Sequence, residues 1–265
     1  MSSLVVRRTA LAASTAALVL LATACGGSSD SKDAKAGDGS TAQADKTASA
    51  AASAAPAKAL GAAELEKAAL TQADVKSGKV TELPAKDDVA QDKVKTGDAA
   101  CTPLALLQAG SWVGTPAATV KRSWLADGKK PAAGADPKVA LLAGLDREKV
   151  IVTLASYDDG GAEQALKDLR TAADKCAGGY SYTADGTRTG IAEVAVTQAP
   201  GGADEAFAVT QTMNADDVKA PVKAVVVRKG ATVAYLPAIN LAAAVSGKDF
   251  DFPTALVDAQ LAKLK

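Results

Sequence analysis

The stretch Ala224-Val-Val-Val-Arg-Lys-Gly-Ala-Thr-Val-Ala-Tyr-Leu-Pro237 contains two apolar runs separated by Lys229-Gly230. Both runs are rich in the β-branched and aromatic residues that favour strands, and a link this short can join only antiparallel neighbours. Similar patterns predict five further strands, at residues 118–126, 139–142, 150–157, 191–198 and 207–213. A second tight hairpin is predicted at residues 146–149. The chain should therefore contain a mostly antiparallel sheet.

Three helices are predicted beside these strands. Residues 101–108 form one, with Pro103 acceptable in its first turn. Residues 162–176 place alanine, leucine and Cys176 on one face, and residues 254–264 close the chain with a third apolar pattern. The order of helix, strands, helix, strand meander and helix indicates an α+β fold, with helices packed on a mostly antiparallel sheet.

The N-terminus has the pattern of an exported protein. Arg7 and Arg8 precede an apolar run over residues 9–21, which has the length of a signal-peptide core and is too short to span a bilayer. The following Leu21-Ala-Thr-Ala-Cys25 resembles the lipobox of bacterial lipoproteins, although that family prefers leucine where this chain has Ala22. The resemblance implies a lipid on Cys25 and a position on the outer face of the cytoplasmic membrane. An ordinary cleaved signal peptide is the alternative, and the export route, Sec or twin-arginine, is left open.

The composition changes sharply along the chain. Residues 26–58 contain almost no large apolar side chain and cannot bury enough surface to offset their chain entropy, so we expect them to be disordered. Leu65 and Leu70 then appear at helical spacing, which places the start of the folded part near Leu60. The predicted organisation is a lipoprotein signal peptide at residues 1–24, a lipidated disordered linker at 25–59, and one extracytoplasmic α+β domain at 60–265.

The cysteine count supports this organisation. The chain has three cysteines, so if Cys25 carries a lipid, Cys101 and Cys176 remain as a pair in an oxidising compartment. Their positions would join the termini of two helices on one side of the sheet. A redox-active pair is the alternative, but such pairs are usually close in sequence. We therefore predict a structural disulfide between Cys101 and Cys176.

The composition excludes several classes of chemistry. With 30 basic residues, 30 acidic residues and no histidine, the chain has neither a basic footprint for nucleic acid nor a histidine for a catalytic triad or a zinc site. Glycine-rich phosphate loops and nucleophile elbows are also missing from the sequence. We expect no cofactor and no metal, and we expect a ligand to be recognised by shape and apolar contact, with little dependence on salt.

Carboxylates are the one remaining source of catalytic groups. Paired carboxylates can hydrolyse glycosides or hold calcium. The chain has four such pairs, at Asp87-Asp88, Asp158-Asp159, Asp216-Asp217 and Asp249-x-Asp251. Each is predicted at a strand end or turn, where aspartate is favoured for local hydrogen bonds, and Asp158-Asp159 could cap the helix that follows. The nine aromatic residues are interpreted mainly as core, with an aromatic-lined cleft as the alternative.

Several segments together resemble a known family. They are Cys101-Thr-Pro-Leu-Ala105, Gly161-Ala-Glu-Gln-Ala-Leu166 continuing to Cys176, Gly201-Gly-Ala-Asp-Glu-Ala-Phe207 and Val226-Val-Arg-Lys-Gly230. Their order is similar to the PknH-like extracellular sensor domains of actinobacteria, over roughly residues 60 to 265. The resemblance implies an antiparallel sheet with packed helices and a cleft for a ligand of unknown identity. The kinase domain has two disulfides where this chain has cysteines for one, so no ligand-binding residue is transferred.

These observations favour a non-enzymatic, membrane-anchored surface lipoprotein with a ligand-binding or sensor-like domain. Its partners would be the membrane, through the lipid on Cys25, and a small molecule, a cell-wall component or an envelope protein. An interaction or structural module of the cell envelope without a small ligand is the second hypothesis, and a carboxylate-dependent hydrolase is the third. A deep apolar pocket would favour the first and a flat exposed apolar patch the second.

Overall fold

The computed structural model describes residues 57–215 and 218–264. The predicted signal peptide, Cys25 and nearly all of the predicted linker therefore lie outside the described residues, as does the Asp216-Asp217 pair. In the described part of the chain, no helix is long and apolar enough to cross a membrane.

One sheet organises the domain, and every neighbouring pair of its strands is antiparallel. The strands are β1 (Lys79–Glu82), β2 (Val94–Thr96), β3 (Ala118–Leu125), β4 (Glu148–Ser156), β5 (Tyr180–Ala184), β6 (Thr187–Thr197), β7 (Glu205–Ala215), β8 (Val218–Lys229) and β9 (Thr232–Asn240). Their order across the sheet is β1-β3-β4-β9-β8-β7-β6-β5-β2. The helices are α1 (Ala62–Ala68), α2 (Thr102–Gln108), α3 (Pro137–Leu145), α4 (Gly161–Lys175), α5 (Ala243–Ser246) and α6 (Thr254–Lys263). The predicted α+β class is confirmed.

The hairpin predicted at Lys229-Gly230 lies near the centre of this sheet. Strands β8 and β9 pair from Lys229 with Thr232 to Lys223 with Ala238. Gly230 has a φ of +56° in the turn, a value that glycine adopts without steric cost. The sequence signal that predicts the fold class therefore corresponds to the central hairpin of the sheet.

Both faces of the sheet are covered, which gives the domain three layers. Val233 and Tyr235 of β9 pack in a core cluster with α2 and α4, whereas Ala234 and Leu236 pack in a second cluster with α1 and α6. This division follows from the two-residue period of a strand, which sends successive side chains to opposite faces. Each fully buried leucine or valine in these layers contributes about 1.5–3 kcal/mol of transfer free energy.

Helix α4 has the apolar face that its sequence predicts. Ala162, Ala165, Leu166, Leu169 and Ala173 of this face are buried against the sheet. The expected cap from Asp158-Asp159 is wrong: the N-cap residue is Gly160, and no side chain caps the helix. The turn uses a left-handed glycine, with φ of +79° at Gly160, instead of a side-chain hydrogen bond.

The predicted disulfide is present. Cys101 lies immediately before α2 and Cys176 immediately after α4, with their Cα atoms 5.9 Å apart and a sequence separation of 75. Both cysteines are buried in the layer that covers one face of the sheet. The bond therefore joins the start of one covering helix to the end of the other.

One predicted strand and one predicted hairpin are wrong. Residues 139–142 lie in helix α3. Residues 146 and 147 connect that helix to β4, and residues 148 and 149 begin the strand, so no hairpin joins two strands here. The helix begins at Pro137, and the Asp136 carboxylate accepts a hydrogen bond of 2.8 Å from the Lys138 N–H. An aspartate cap followed by proline is a strong helix start, and it overrides a short apolar run that fits either element.

Breaking the disulfide should destabilise the domain strongly. In the chain-entropy model a loop of this length contributes about 4–5 kcal/mol. We expect Cys101→Ala with Cys176→Ala to lower the melting temperature of the protein by more than 10 °C, an estimate from the usual scaling of stability with melting temperature. The measurement is thermal unfolding by circular dichroism, with and without reductant.

Cys25→Ser is the matched control for loss of a thiol, and it should leave the melting temperature unchanged. Non-reducing peptide mapping checks the bond itself. Detection of Cys101 and Cys176 as free thiols in the mature protein would contradict the prediction.

Candidate functional site

A cleft of about 740 Å³ lies at the end of the sheet where β4 begins and β9 ends. Helix α3, helix α5 and the segment 248–253 form its walls. We call it the terminal cleft, and its lining residues are Lys129, Val139, Leu142, Ala143, Asp146, Glu148, Asn240, Ala242, Ala243, Ser246, Lys248, Asp249, Phe250, Asp251, Phe252 and Pro253.

Asn240, the last residue of β9, organises the floor of the terminal cleft. Its buried amide Nδ2 donates to Asp146 Oδ1 and to Glu148 Oε1, each at 2.9 Å. Its Oδ1 accepts from the backbone N–H groups of Ala242 and Ala243, also at 2.9 Å. Asn240 thus uses both donors and both acceptor positions, and it fixes two carboxylates and the start of α5 at once.

The two carboxylates on the floor differ in their charge partners. Asp146 forms a 2.5 Å ion pair with Lys129, and this hydrogen bond holds the pKa of the Asp146 carboxyl below its usual range. Glu148 has no lysine or arginine nitrogen within 4 Å among the residues that the structure describes. The negative charge of Glu148 is therefore stabilised by the Asn240 amide without an ion pair.

The rim of the cleft carries further charge. Asp249 pairs with Lys223 at 3.0 Å, and this contact lowers the pKa of the Asp249 carboxyl. The Lys223 ammonium also lies 5.2 Å from the centroid of the Phe250 ring, within range of a cation–π interaction. Asp251 and Lys248 line the cleft without an ion pair to another described residue.

The two helices beside the cleft expose apolar side chains. Val139 and Leu141 of α3 are 57% and 64% exposed, and Val245 of α5 is 59% exposed. In residues 57–215 and 218–264, the fourth exposed large apolar side chain is Val196, on β6. No residue of α3 is buried. Exposed apolar residues clustered beside a concave site are typical of a binding surface, whereas scattered single ones are not.

A second cavity, of about 600 Å³, lies at the N-terminal end of α4. Its polar groups already have partners within the domain: Arg228 pairs with Glu163 at 3.0 Å and with Glu205 at 2.9 Å. The Tyr157 hydroxyl bonds to Val113 O at 2.7 Å and lies 2.6 Å from the Tyr235 hydroxyl. Burial raises the pKa of Tyr157, and it raises that of Tyr235 to about 12, so both phenols stay neutral. These contacts engage Arg228, Glu163 and Tyr157 within the domain itself.

The predicted carboxylate pairs are dispersed over the domain. Asp87 pairs with Lys149 at 2.8 Å and Asp88 with Lys121 at 2.6 Å, so both anchor the segment before β2 to the sheet. Asp159 lines the second cavity, and Asp249 and Asp251 lie at the rim of the terminal cleft. In the described ranges, no group of three or more acidic or cysteine side chains is arranged to hold a metal ion.

The pair that does converge is Asp146 with Glu148. Asp146 Oδ1 and Glu148 Oε1 each lie 2.9 Å from Asn240 Nδ2, so the two oxygens are separated by less than twice that distance. The sequence does not predict this pair, because both residues fall in a predicted hairpin, whereas Asp146 follows α3 and Glu148 begins β4. Glycoside hydrolysis needs one carboxyl with a raised pKa as the acid, and the pKa of Asp146 is lowered instead. Asp146 therefore does not fit the role of that acid.

Most aromatic residues belong to the core, as predicted. Trp124, Phe207 and Tyr235 are buried between the sheet and its covering layers. Phe250 and Phe252, on the segment before α6, are the aromatic residues that line the terminal cleft. Two phenylalanines therefore form the aromatic part of the cleft wall, and the other aromatic residues named here belong to the core.

No family model matches the sequence, and no curated protein matches it. Among solved structures, the chain is similar to the extracellular domain of PknH from Mycobacterium tuberculosis, with 12% identity and a TM-score of 0.40 over 78% of this chain and 95% of that chain. It is also similar to a putative uncharacterized protein from Mycobacterium smegmatis, with 15% identity and a TM-score of 0.35 over 72% of this chain and 90% of that chain. A PknH extracellular domain, of the kind that the sequence resembles, is thus among the solved structures similar to this chain.

Removing the Asn240 side chain should destabilise this end of the sheet. Asn240→Ala leaves Asp146 and Glu148 without their shared donor and two backbone N–H groups without an acceptor, and each lost buried partner costs about 1–3 kcal/mol. We expect the free energy of unfolding to fall by about 2–4 kcal/mol in total, as measured by urea denaturation.

Asn214→Ala is the matched control, because Asn214 is an exposed asparagine on β7. Its effect should stay within about 0.5 kcal/mol. Equal effects of the two substitutions would show that the Asn240 network contributes nothing specific.

Proposed function

We propose that the protein is a non-enzymatic lipoprotein of the cell envelope, anchored by a lipid on Cys25, that binds a small molecule or cell-wall component in the terminal cleft. The observation that carries the proposal is the cleft itself. It has a volume of about 740 Å³ and lies between two helices that expose Val139, Leu141 and Val245. A cleft with apolar walls and a few fixed polar groups is the usual form of a small-molecule site.

The position of the cleft relative to the start of the domain supports this proposal. The Leu60 N–H donates to Ser156 Oγ at 2.8 Å, and Ala57 lies with Gly230 in the wall of the second cavity. Both contacts are at one end of β4 and β9, whereas Glu148 and Asn240 are at the other end of the same strands. Strands of nine residues are about 27 Å long. The described chain therefore begins at the end of these strands opposite the terminal cleft.

The residue types of the chain and of the cleft support binding without turnover. The chain contains no histidine, so the usual general base near neutral pH is lacking. Asp146 is held ionised by Lys129 and Asn240 and cannot serve as a proton donor at neutral pH. Binding without turnover is the function that this geometry supports.

A second candidate function is supported by the same exposed residues. Val139, Leu141 and Val245 would be buried if an envelope protein docked across α3 and α5. In that case the rim, and not the interior of the cleft, would form the contact. This reading corresponds to an interaction module without a small ligand.

The anchor is tested by Cys25→Ser. Only a thiol accepts the diacylglyceryl thioether, so the variant should lose all label from a radioactive fatty acid fed to the producing cells. Cys176→Ala is the control, because it removes a different thiol and should keep the label. Undiminished labelling of Cys25→Ser would refute lipid attachment at this residue.

The cleft is tested by native mass spectrometry of the protein purified from its own envelope. We expect a fraction of the protein to carry a bound mass, and we expect Val139→Asp to lose it, since the new carboxylate lies on the apolar wall. Val196→Asp is the matched control, because Val196 is 59% exposed against 57% for Val139 and lies on β6, away from the cleft.

Retention of the bound mass by both variants would place the ligand elsewhere. A protein that carries no mass but cross-links to an envelope protein through α3 would support the interaction module in place of the ligand-binding one.

A further inference from the structure

We infer that the terminal cleft takes an amphipathic cation: an apolar body with an ammonium or guanidinium group at one end. The inference rests on the proposed function and names the chemical class of the occupant. It comes from the arrangement of apolar walls and uncompensated carboxylate charge within one concave site.

The apolar body would lie between two walls. Val139, Leu142 and Ala143 of α3 form one wall, and Phe250, Phe252 and Pro253 form the other. These side chains are aliphatic and aromatic, so they offer contact area without hydrogen bonds. A ligand without an apolar portion would leave this surface exposed to water, at a cost proportional to its area.

The cationic end would lie at the cleft floor, beside Glu148. Asp146 is already paired with Lys129, whereas the Glu148 carboxylate accepts from the Asn240 amide and has no ion-pair partner among the described residues, with the Lys129 charge acting on it from beyond ion-pair distance. Glu148 is half-buried, and a partly desolvated carboxylate is stabilised by a cation more strongly than an exposed one is. The fixed position of Glu148, set by Asn240, gives the cation a defined binding point.

The other charges around the floor leave an excess of negative charge. Asp251 and Glu148 lack ion-pair partners among the described residues, whereas Lys248 is the one cleft lysine without such a partner. Arg147, between Asp146 and Glu148 in sequence, is not among the residues that line the cleft. An anionic head group would therefore meet repulsion at the floor, although the whole chain is neutral.

Three probes with the same apolar chain separate the two contributions: octylammonium, octanol and octyl sulfate. Their binding is measured by isothermal titration calorimetry on the full chain carrying Cys25→Ser, which has no lipid of its own. We expect octylammonium to bind about tenfold more tightly than octyl sulfate, which corresponds to about 1.4 kcal/mol, with octanol between them. The ratio should shrink as salt is added, because the charge term is screened.

Glu148→Gln keeps the shape and an acceptor for the Asn240 amide but removes the charge. In this variant we expect the ratio of the affinities for octylammonium and octyl sulfate to fall from about tenfold to about threefold or less. Glu193→Gln is the matched control, because Glu193 is exposed on β6, and the ratio should not change.

Equal binding of the three probes, or tighter binding of octyl sulfate, would overturn the inference and leave the proposed function standing. A preference for octylammonium that persists in Glu148→Gln would overturn the assignment of the binding point. If Val139→Asp does not weaken octanol binding, the apolar cleft is not the site and the proposed function fails with it.

Discussion

The structure depends on one constraint: the central strands of the sheet are buried on both faces. In β9 every residue except Ile239 is buried, with Val233 and Tyr235 facing one layer and Ala234 and Leu236 the other. Neither face can be left uncovered, because each would expose a continuous apolar surface to water. The chain therefore needs two helical layers, and the Cys101–Cys176 bond joins the two helices of one of them.

The sequence predicts well the elements that form or cover the central strands. The β8–β9 hairpin, helix α4 and the disulfide all follow from local patterns, namely short links, a helical apolar face and cysteine count. The short strands β1 and β2 are not predicted, because each has at most four residues and most of them are not buried. Edge strands of this kind are defined by their partners in the sheet and not by their own composition.

The candidate site was harder to predict, for a reason that is also physical. Its floor joins Asp146 and Glu148 to Asn240, which lies more than 90 residues later in the chain, and no local pattern records that contact. The chain's equal numbers of basic and acidic residues predict recognition without charge. The cleft shows how a neutral chain can still concentrate carboxylates locally, since Lys129 compensates Asp146 but no described lysine or arginine pairs with Glu148.

The connection between β3 and β4 is much longer than the pairing of these two strands requires. These strands are antiparallel neighbours, with Leu125 paired to Lys149, and a tight hairpin would be enough to join them. The chain instead uses residues 126–147, including α3, in which no residue is buried. Such a segment contributes little to the core, yet it supplies one apolar wall of the terminal cleft and the Lys129–Asp146 pair at its floor. Long connections of this kind on a rigid scaffold usually carry function. Because the two covered faces hold the sheet together without it, this connection is the part of the domain whose side chains the core constrains least.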